Sequence, residues 1–267
     1  MADRETYEIF ALKYAEDVTR TRGQCFIFDD KAEAPRPLDF FVWVIRNANR
    51  TILVDTGFDA AEARRRERPH TREPHEALAM IDVDAAAVEQ VVITHMHYDH
   101  AGTLDRFDAA RFHLQEAEMV YATGPCMCPG PLQDPFTADH VCQMVRKVYS
   151  GRVVFHEGDA SVAPGVTVHK IGGHSRGLQC VRVATERGPV VLASDAAHFY
   201  ESYEEKRRFH IVVDVEDMLK GYDRVVELAA SPQHVVPGHD PDVMRRYPAV
   251  SDALDGIAVR LDVEPVA

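Results

Sequence analysis

The sequence predicts an α/β fold in which two halves share one plan, a meander of strands accompanied by helices. The first half contains the strongest apolar, β-prone run of the chain, residues 40–45, followed by a helical segment rich in Ala, Arg and Glu at 58–68. The second half repeats the order, with short apolar strands before a long helical segment at 215–230. In both halves strands end in turns that carry histidine or aspartate, which indicates functional loops gathered at strand ends.

The elements follow from apolar runs and breakers along the chain. Strands are predicted at 6–14, 24–29, 39–46, 51–54, 91–93, 110–114, 152–155, 166–171, 179–184, 189–193 and 234–236. Helices are predicted at 58–68, 73–81, 115–123, 137–149 and 215–230. Residues 124–136 carry glycine or proline at 124, 125, 129, 130, 131 and 135, so no regular element is expected there. We expect a single domain over 1–267, with a lid insertion around 123–150.

Composition excludes several classes of partner. The 267 residues carry a formal net charge of −13, which argues against a nucleic-acid backbone or an anionic membrane as the main partner. No stretch approaches the roughly 18 to 20 apolar residues of a membrane span. The charged start lacks an apolar signal core, and five irregularly spaced cysteines are typical of reduced thiols. These features predict a cytoplasmic protein.

The densest cluster of chemically active side chains lies in residues 90–102. The apolar run 91–93 reads as a buried strand, and His95, His97, Asp99 and His100 follow it directly before Gly102. Unpaired, these groups would crowd ionisable side chains at the end of a buried strand, at a cost of several kcal/mol. Imidazole and carboxylate together suit zinc or a similar first-row ion. The cluster therefore predicts a metal site.

Three further candidate ligands follow later strands. His174 lies in a glycine turn, Asp195 follows the strand at 189–193, and His239 follows Pro237-Gly238. Seven ligands are too many for one tetrahedral ion, which takes about four. They suit two ions about 3.5 to 4 Å apart, bridged by a carboxylate and a water.

The segment Thr94-His-Met-His-Tyr-Asp-His-Ala-Gly102 resembles the signature of the metallo-β-lactamase superfamily. The resemblance extends from Val54-Asp55-Thr56-Gly57 to Pro237-Gly238-His239. Spacings of 21 residues from His174 to Asp195 and 44 from Asp195 to His239 are similar to the N-acyl-homoserine lactonase branch. The resemblance implies a four-layer αβ/βα sandwich, with two sheets packed face to face between helices.

The resemblance also implies a role for each ligand. His95, His97 and His174 would bind a first Zn²⁺, Asp99, His100 and His239 a second, and Asp195 would bridge them; other divalent transition metals remain open. Asp55 would stand beside the ligands and fix an imidazole tautomer, the alternative being an ordinary turn aspartate. Histidine at position 97, where electron-transfer relatives usually carry glutamate, favours a hydrolytic site.

The implied chemistry is hydrolysis. Two divalent cations lower the pKa of a bridging water, which then attacks a carbonyl as hydroxide. Asp99 is the expected proton relay to the leaving alkoxide. The expected reaction is opening of a small lactone, foremost an N-acyl-homoserine lactone, which is quorum quenching. Alternatives are another ester, an aromatic lactone or a cyclic amide at the same site, or a metal-binding module without turnover.

The substrate-binding residues are where this sequence departs from the lactonases, which usually place a tyrosine three residues after the bridging aspartate. Here that position is His198, predicted as a catalytic donor or acid, with Tyr200 as another source of a phenol and a strand cap as the alternative. Arg176 is a candidate carboxylate binder or else a surface arginine. Tyr98 and Phe136 are expected to line an apolar pocket. A homodimer is suggested by analogy alone.

Overall fold

The computed structural model of this protein describes residues 5–128 and 130–266. Over these ranges it contains twelve strands: β1 (Glu8–Asp17), β2 (Leu38–Arg46), β3 (Thr51–Val54), β4 (Gln90–Val92), β5 (Arg111–Gln115), β6 (Val153–His156), β7 (Ala160–Ala163), β8 (Val166–Lys170), β9 (Gln179–Thr185), β10 (Gly188–Ser194), β11 (Val235–Pro237) and β12 (Ala258–Arg260). The same ranges contain eight α-helices: α1 (Arg22–Cys25), α2 (Ala60–Arg65), α3 (Pro74–Ala79), α4 (Glu116–Thr123), α5 (Ala138–Tyr149), α6 (Tyr200–Glu204), α7 (Val215–Leu228) and α8 (Asp242–Arg246).

The strands form two mixed sheets. One has the order β12-β1-β2-β3-β4-β5-β6, antiparallel as far as β3 and parallel from β3 to β6. The other has the order β11-β10-β9-β8-β7, with β10 and β11 parallel and the remaining pairs antiparallel. Because β8 and β10 are both antiparallel to β9, β8, β10 and β11 all run in one direction.

Strand β2 shows how the layers pack. Phe40, Val42 and Val44 point into one hydrophobic cluster, and the intervening Phe41, Trp43 and Ile45 point into another. The first cluster includes side chains from helices α3, α4 and α5, and the second includes side chains from β8, β9, β10 and α7. The sheets therefore pack against each other, with helices on both outer faces. The predicted αβ/βα sandwich is confirmed.

The strand predicted at 24–29 is wrong. Residues 22–25 form the short helix α1, which begins where the side chain of Gln24 accepts a hydrogen bond from the backbone nitrogen of Thr21 at 2.9 Å. The sequence also missed β7, β12, α6 and α8, each of five residues or fewer. Strand β12 pairs with β1 across almost the whole chain, so no local pattern could reveal it.

Two predictions fall partly outside the described residues. These are the charged N-terminal start, of which residues 1–4 lie outside, and the breaker Pro129. The rest of 124–136 contains two short 3-10 turns, Pro125–Met127 and Pro131–Gln133. In the part of the chain that the structure describes, no helix combines the length and apolar character needed to cross a bilayer.

The contact between the sheets can be tested at Trp43, which is fully buried. We expect Trp43→Ala to lower the free energy of unfolding by about 3–5 kcal/mol, because it leaves a large cavity between the sheets. Urea unfolding of the variant and the parent protein measures the difference. Tyr149→Ala is the control, since Tyr149 is 89% exposed and its removal should change stability little. Equal losses from both variants would contradict the packing described.

Candidate metal centre

The candidate ligands lie at one edge of the sandwich because four strands point their carboxyl ends there. His95, His97, Asp99 and His100 follow β4, His174 follows β8, Asp195 follows β10 and His239 follows β11. All seven side chains are buried. The loop after β4 returns tightly at Gly102, where an added Cβ would lie 2.4 Å from the carbonyl oxygen of Gly57. The structure therefore gathers seven residues that are up to 144 positions apart in the sequence.

Three histidines form the first ligand group. The Nε2 atom of His174 lies 3.1 Å from His95 Nε2 and 2.9 Å from His97 Nδ1. Hydrogen bonding fixes the tautomer of His174, since its Nδ1 donates to the carbonyl oxygen of Ile211 at 2.7 Å. Its Nε2 therefore presents a lone pair to the other two rings.

Asp99, His100 and His239 form the second group. Asp99 Oδ2 lies 3.7 Å from the Nε2 atoms of both His100 and His239. His239 Nδ1 donates to the carbonyl oxygen of Asp39 at 2.9 Å, and His100 Nδ1 donates to Asp55 Oδ2 at 2.7 Å. Both rings thus turn Nε2 toward the interior of the cluster.

Asp195 lies between the two groups and offers one oxygen to each. Its Oδ2 is 3.2 Å from His174 Nε2 and 3.9 Å from His95 Nε2. Its Oδ1 is 3.0 Å from His239 Nε2 and 3.3 Å from His100 Nε2. This is the arrangement expected of a carboxylate that bridges two cations.

The electrostatics of the cluster favour bound cations. Burial lowers the pKa of His174 to about 3, although Asp195 opposes the shift, so the ring is neutral at pH 7. Burial also lowers the pKa of His95 and His97 well below the usual range. At His100 burial acts in the same direction, but the carboxylates of Asp195, Asp99 and Asp55 outweigh it and raise the pKa well above the usual value. The three histidines of the first group therefore offer neutral lone pairs. The carboxylates around His100 attract positive charge.

Two buried atoms test whether the cluster fits metal ions. His100 Nε2 and Asp195 Oδ1 are 3.3 Å apart, and neither makes a hydrogen bond within the described ranges. Buried polar atoms are normally paired, so two such atoms side by side fit ligands that share one cation. Four sets of donor atoms lie close enough together to hold an ion: His95, His97 and His174; Asp99, His100 and His239; and two sets around Asp195, one with His95 and His100 and one with His174 and His198. The donor set of imidazole and carboxylate suits zinc.

Asp55 supports the cluster from behind. Besides His100, its carboxylate accepts hydrogen bonds from the backbone nitrogen of Thr94 at 2.7 Å and from the Thr94 hydroxyl at 2.8 Å. The Thr94 hydroxyl also lies 2.9 Å from Ser194 Oγ, which joins the loops after β4 and β10. Asp55 thus lies directly behind His100, one of the candidate ligands.

A cavity of about 390 Å³ opens onto this cluster. His97, Asp99, His174, Asp195 and His239 form its floor. Its walls are mixed, with apolar residues such as Phe40 and Phe209 and the arginines Arg20, Arg66 and Arg68. The size suits a small molecule.

His198 lies on the cavity wall beside Asp195. Its Nε2 is 2.9 Å from Asp195 Oδ2, and its ring stacks on Phe209 with centroids 3.9 Å apart. Burial lowers the pKa of His198 despite the opposing charge of Asp195, so the neutral ring donates its Nε2 proton to that carboxylate. His198 therefore contacts the candidate ligand Asp195 and lines the cavity.

Two of the other predicted pocket residues, Tyr98 and Phe136, lie close to the cluster. Tyr98 lines the cavity, as do Pro131, Leu132, Asp134 and Pro135 of the segment 124–136. Phe136 packs its ring edge-on against His97, with centroids 4.7 Å apart, and supports that ligand from outside the cavity lining.

The structure does not bring Tyr200 or Arg176 into the cavity. Tyr200 packs in the second hydrophobic cluster beneath Arg246, whose guanidinium carbon is 3.6 Å from the ring centroid. Tyr200 is the first residue of helix α6 and is not among the residues that line the cavity. Arg176 is exposed over Tyr121 and lines a separate groove.

Two groups of site residues escaped the sequence reasoning. The composition of residues 64–68, four arginines and a glutamate, is typical of a solvated face, yet Arg66 and Arg68 line the cavity. Glu118 is fully buried and accepts hydrogen bonds from the backbone nitrogens of Met96 and Gly177 at 2.9 and 2.8 Å and from Ser175 Oγ at 2.8 Å. It thereby ties the loop of His95 and His97 to the loop of His174. A glutamate early in a helix carries no local signal for this role.

Comparison with known proteins agrees with the fold. A family model described as the metallo-beta-lactamase superfamily matches residues 37–244, so the chain belongs to that superfamily.

The relatives it matches within the superfamily include lactonases. The N-acyl homoserine lactonase AiiB of Rhizobium rhizogenes is 27% identical over 201 residues, which cover 69% of this chain and 71% of that enzyme. The N-acyl homoserine lactonase of Bacillus cereus is 28% identical over 152 residues, 56% of this chain and only 55% of that enzyme's length. A solved N-acyl homoserine lactone hydrolase with N-hexanoyl-L-homoserine at its metal centre has a TM-score of 0.75 at 20% identity, covering 90% of this chain and 96% of that one. That structural likeness shows a shared fold.

The role of Glu118 can be tested with Glu118→Gln. Three donors converge on its carboxylate, and an amide in its place would turn an N–H group toward one of them. We expect zinc affinity to fall at least about tenfold, because groups that orient metal ligands typically contribute that much. Competition with a chromophoric chelator measures the affinity.

Glu116→Gln is the matched control, since Glu116 is exposed on the same helix. Unchanged zinc affinity in Glu118→Gln would show that the two loops keep their positions without this carboxylate.

Proposed function

We propose that this chain is a dizinc hydrolase that opens a small lactone, foremost an N-acyl-homoserine lactone. The observation that carries the proposal is Asp195, which offers Oδ2 to one histidine group and Oδ1 to the other. A binding module for a single metal ion needs only one set of ligands. A carboxylate between two sets of ligands suits hydrolysis by two metal ions. The lactonase relatives support the choice of substrate.

In this proposal each part of the site has a task. His95, His97 and His174 would hold the first ion, Asp99, His100 and His239 would hold the second, and Asp195 would contact both. When bound, the two ions would activate a water and polarise the substrate carbonyl. Asp99 faces the cavity and would relay to the leaving alkoxide the proton that the attacking water loses.

His198 takes the position that a tyrosine occupies in typical lactonases. Its Nε2 proton, directed at Asp195 Oδ2, holds the bridging carboxylate and lies on the wall where the substrate carbonyl binds. Leu132 and Pro135 of the lid limit the access of water from the opening. We propose that the chain forms a single domain and that the segment around 123–150 is a lid over the cavity.

A second substrate class within the same chemistry is an aromatic lactone or ester. The stacked pair of His198 and Phe209 favours it, as do Phe40 and Tyr98, which also line the cavity. An aromatic ring would pack against these faces.

The remaining proposals concern the surroundings of the enzyme. We propose a cytoplasmic location because all five cysteines, which lie in the described ranges, are free thiols. A homodimer is proposed by analogy alone. The net charge of −13 supports a small-molecule substrate over nucleic acid or a membrane as the partner.

The proposed activity is tested by acid release from a panel of lactones, with and without chelator. We expect zinc-loaded protein to hydrolyse homoserine lactones, chelator to abolish turnover, and Asp99→Asn to lower kcat by about 10²-fold or more. Metal analysis should give two zinc ions per chain. Stable zinc binding without turnover of lactones, aromatic lactones or esters would instead identify a non-catalytic module.

The role of His198 is tested with His198→Phe and His198→Gln. We expect His198→Phe to lower kcat by about 10²-fold, because one preorganised donor is lost. His198→Gln should keep more activity, since its amide donates from a similar place. Zinc content is measured in parallel: loss of zinc with unchanged kcat per zinc-loaded chain would reduce His198 to a support for the metal.

A further inference from the structure

We propose that the cavity selects substrates that carry a second anionic group, a carboxylate away from the scissile ring, and that Arg20 and Arg68 recognise it. This inference rests on the proposed function and narrows its substrate class. When a lactone opens, it yields one carboxylate, and that carboxylate lies at the metal cluster. Arginines on the cavity wall would therefore bind a different anionic group of the substrate.

Arg20 and Arg68 both form ion pairs with one buried carboxylate, that of Asp17. Asp17 Oδ2 is 3.2 Å from Arg20 Nε and 3.3 Å from Arg68 Nη1. Burial would raise the pKa of Asp17, but hydrogen bonds from Thr19 and Arg20 outweigh it and lower the pKa, so Asp17 is ionised. Two guanidinium groups share a single negative charge, which leaves about one positive charge at the wall of the cavity.

Both guanidinium groups keep unused donors. Arg20 uses only Nε toward a protein side chain among the described residues. Arg68 uses Nη1 toward Asp17, and its Nη2 makes no hydrogen bond to a protein group in the described part of the chain. A half-buried guanidinium with free N–H groups is ready to bind a planar carboxylate through two hydrogen bonds.

The other charged groups on the wall differ. Arg66 is already engaged by Glu62 Oε1 and by the carbonyl oxygens of Asp134 and Phe136 at 2.8 and 2.9 Å. Asp134 is exposed on the lid, where solvent and salt screen its charge. Arg20 and Arg68 are therefore the arginines of the cavity whose remaining N–H groups are not taken by protein acceptors among the described residues.

A neutral acyl chain gives these arginines nothing to bind. It would remove water from their N–H groups and offer no acceptor in place of the hydrogen bonds to water that are lost. The chain as a whole carries a net charge of −13 and repels anions, so a local positive wall beside the metal cluster sets a specific preference. Arg176 cannot take this part, because it lies outside the cavity.

Matched lactone pairs test the inference. Homoserine lactone amides of succinic and adipic acid are compared with those of butanoic and hexanoic acid, which have the same chain lengths but end in methyl. We expect kcat/KM of zinc-loaded protein to favour the carboxylate member of at least one pair by about tenfold or more, which is about 1.4 kcal/mol. The preference should shrink as salt is raised from about 0.05 to 0.5 M.

Arg20→Gln and Arg68→Gln should each lower that preference about tenfold. Arg64→Gln is the matched control, because Arg64 is exposed in the same arginine run, and its preference should equal that of the parent. Since either cavity variant could disturb the Asp17 contact, thermal unfolding is recorded for each, and the parent protein's own preference and salt dependence stand as an independent test.

The outcomes separate the two proposals. Turnover of neutral and anionic lactones at equal rates, or a preference unaffected by salt and by both variants, overturns the role of Arg20 and Arg68 but leaves the lactonase intact. Turnover of neither member by zinc-loaded protein overturns the proposed function, and this inference with it.

Discussion

The carboxylate of Asp195 is the group on which the arrangement of the site depends. Each of its oxygens meets a different set of imidazoles, and each set joins residues that follow β4 of one sheet to a histidine that follows a strand of the other sheet. Burying that carboxylate is costly unless positive charge lies on both sides of it. The site therefore requires β4, β8, β10 and β11 to end at one edge, and the packing of the two sheets against each other places them there.

The cluster is held in place by hydrogen bonds one layer behind it. Asp55 and Ser194 adopt left-handed backbone conformations, with φ of 61° and 48°, which cost non-glycine residues about 1–3 kcal/mol each. Both contact the hydroxyl of Thr94, and Asp55 also holds His100. Glu118 adds a second tie, between the loops of His97 and His174. The strained backbone thus occurs at residues that help to orient the imidazoles of the candidate metal ligands.

The candidate ligands were predictable and the cavity wall was not. His95, His97, Asp99 and His100 are close in sequence, so one strand end makes the cluster visible. Arg176 and Tyr200 lie within a few residues of ligands, yet a glycine turn and the start of α6 direct them elsewhere. Arg20 and Arg68 are far from every ligand in sequence, and only the shared contact with Asp17 brings them together.

The sequence by itself determined the α/β class, most strands and helices, and the ligand-bearing turns, because apolar periodicity and residue type are local properties. Tertiary structure alone decided the helix at 22–25, the pairing of β12 with β1 and the residues that face the cavity. These depend on contacts between segments far apart in the chain. Which way a side chain points, and what it meets, is decided only when distant segments pack together.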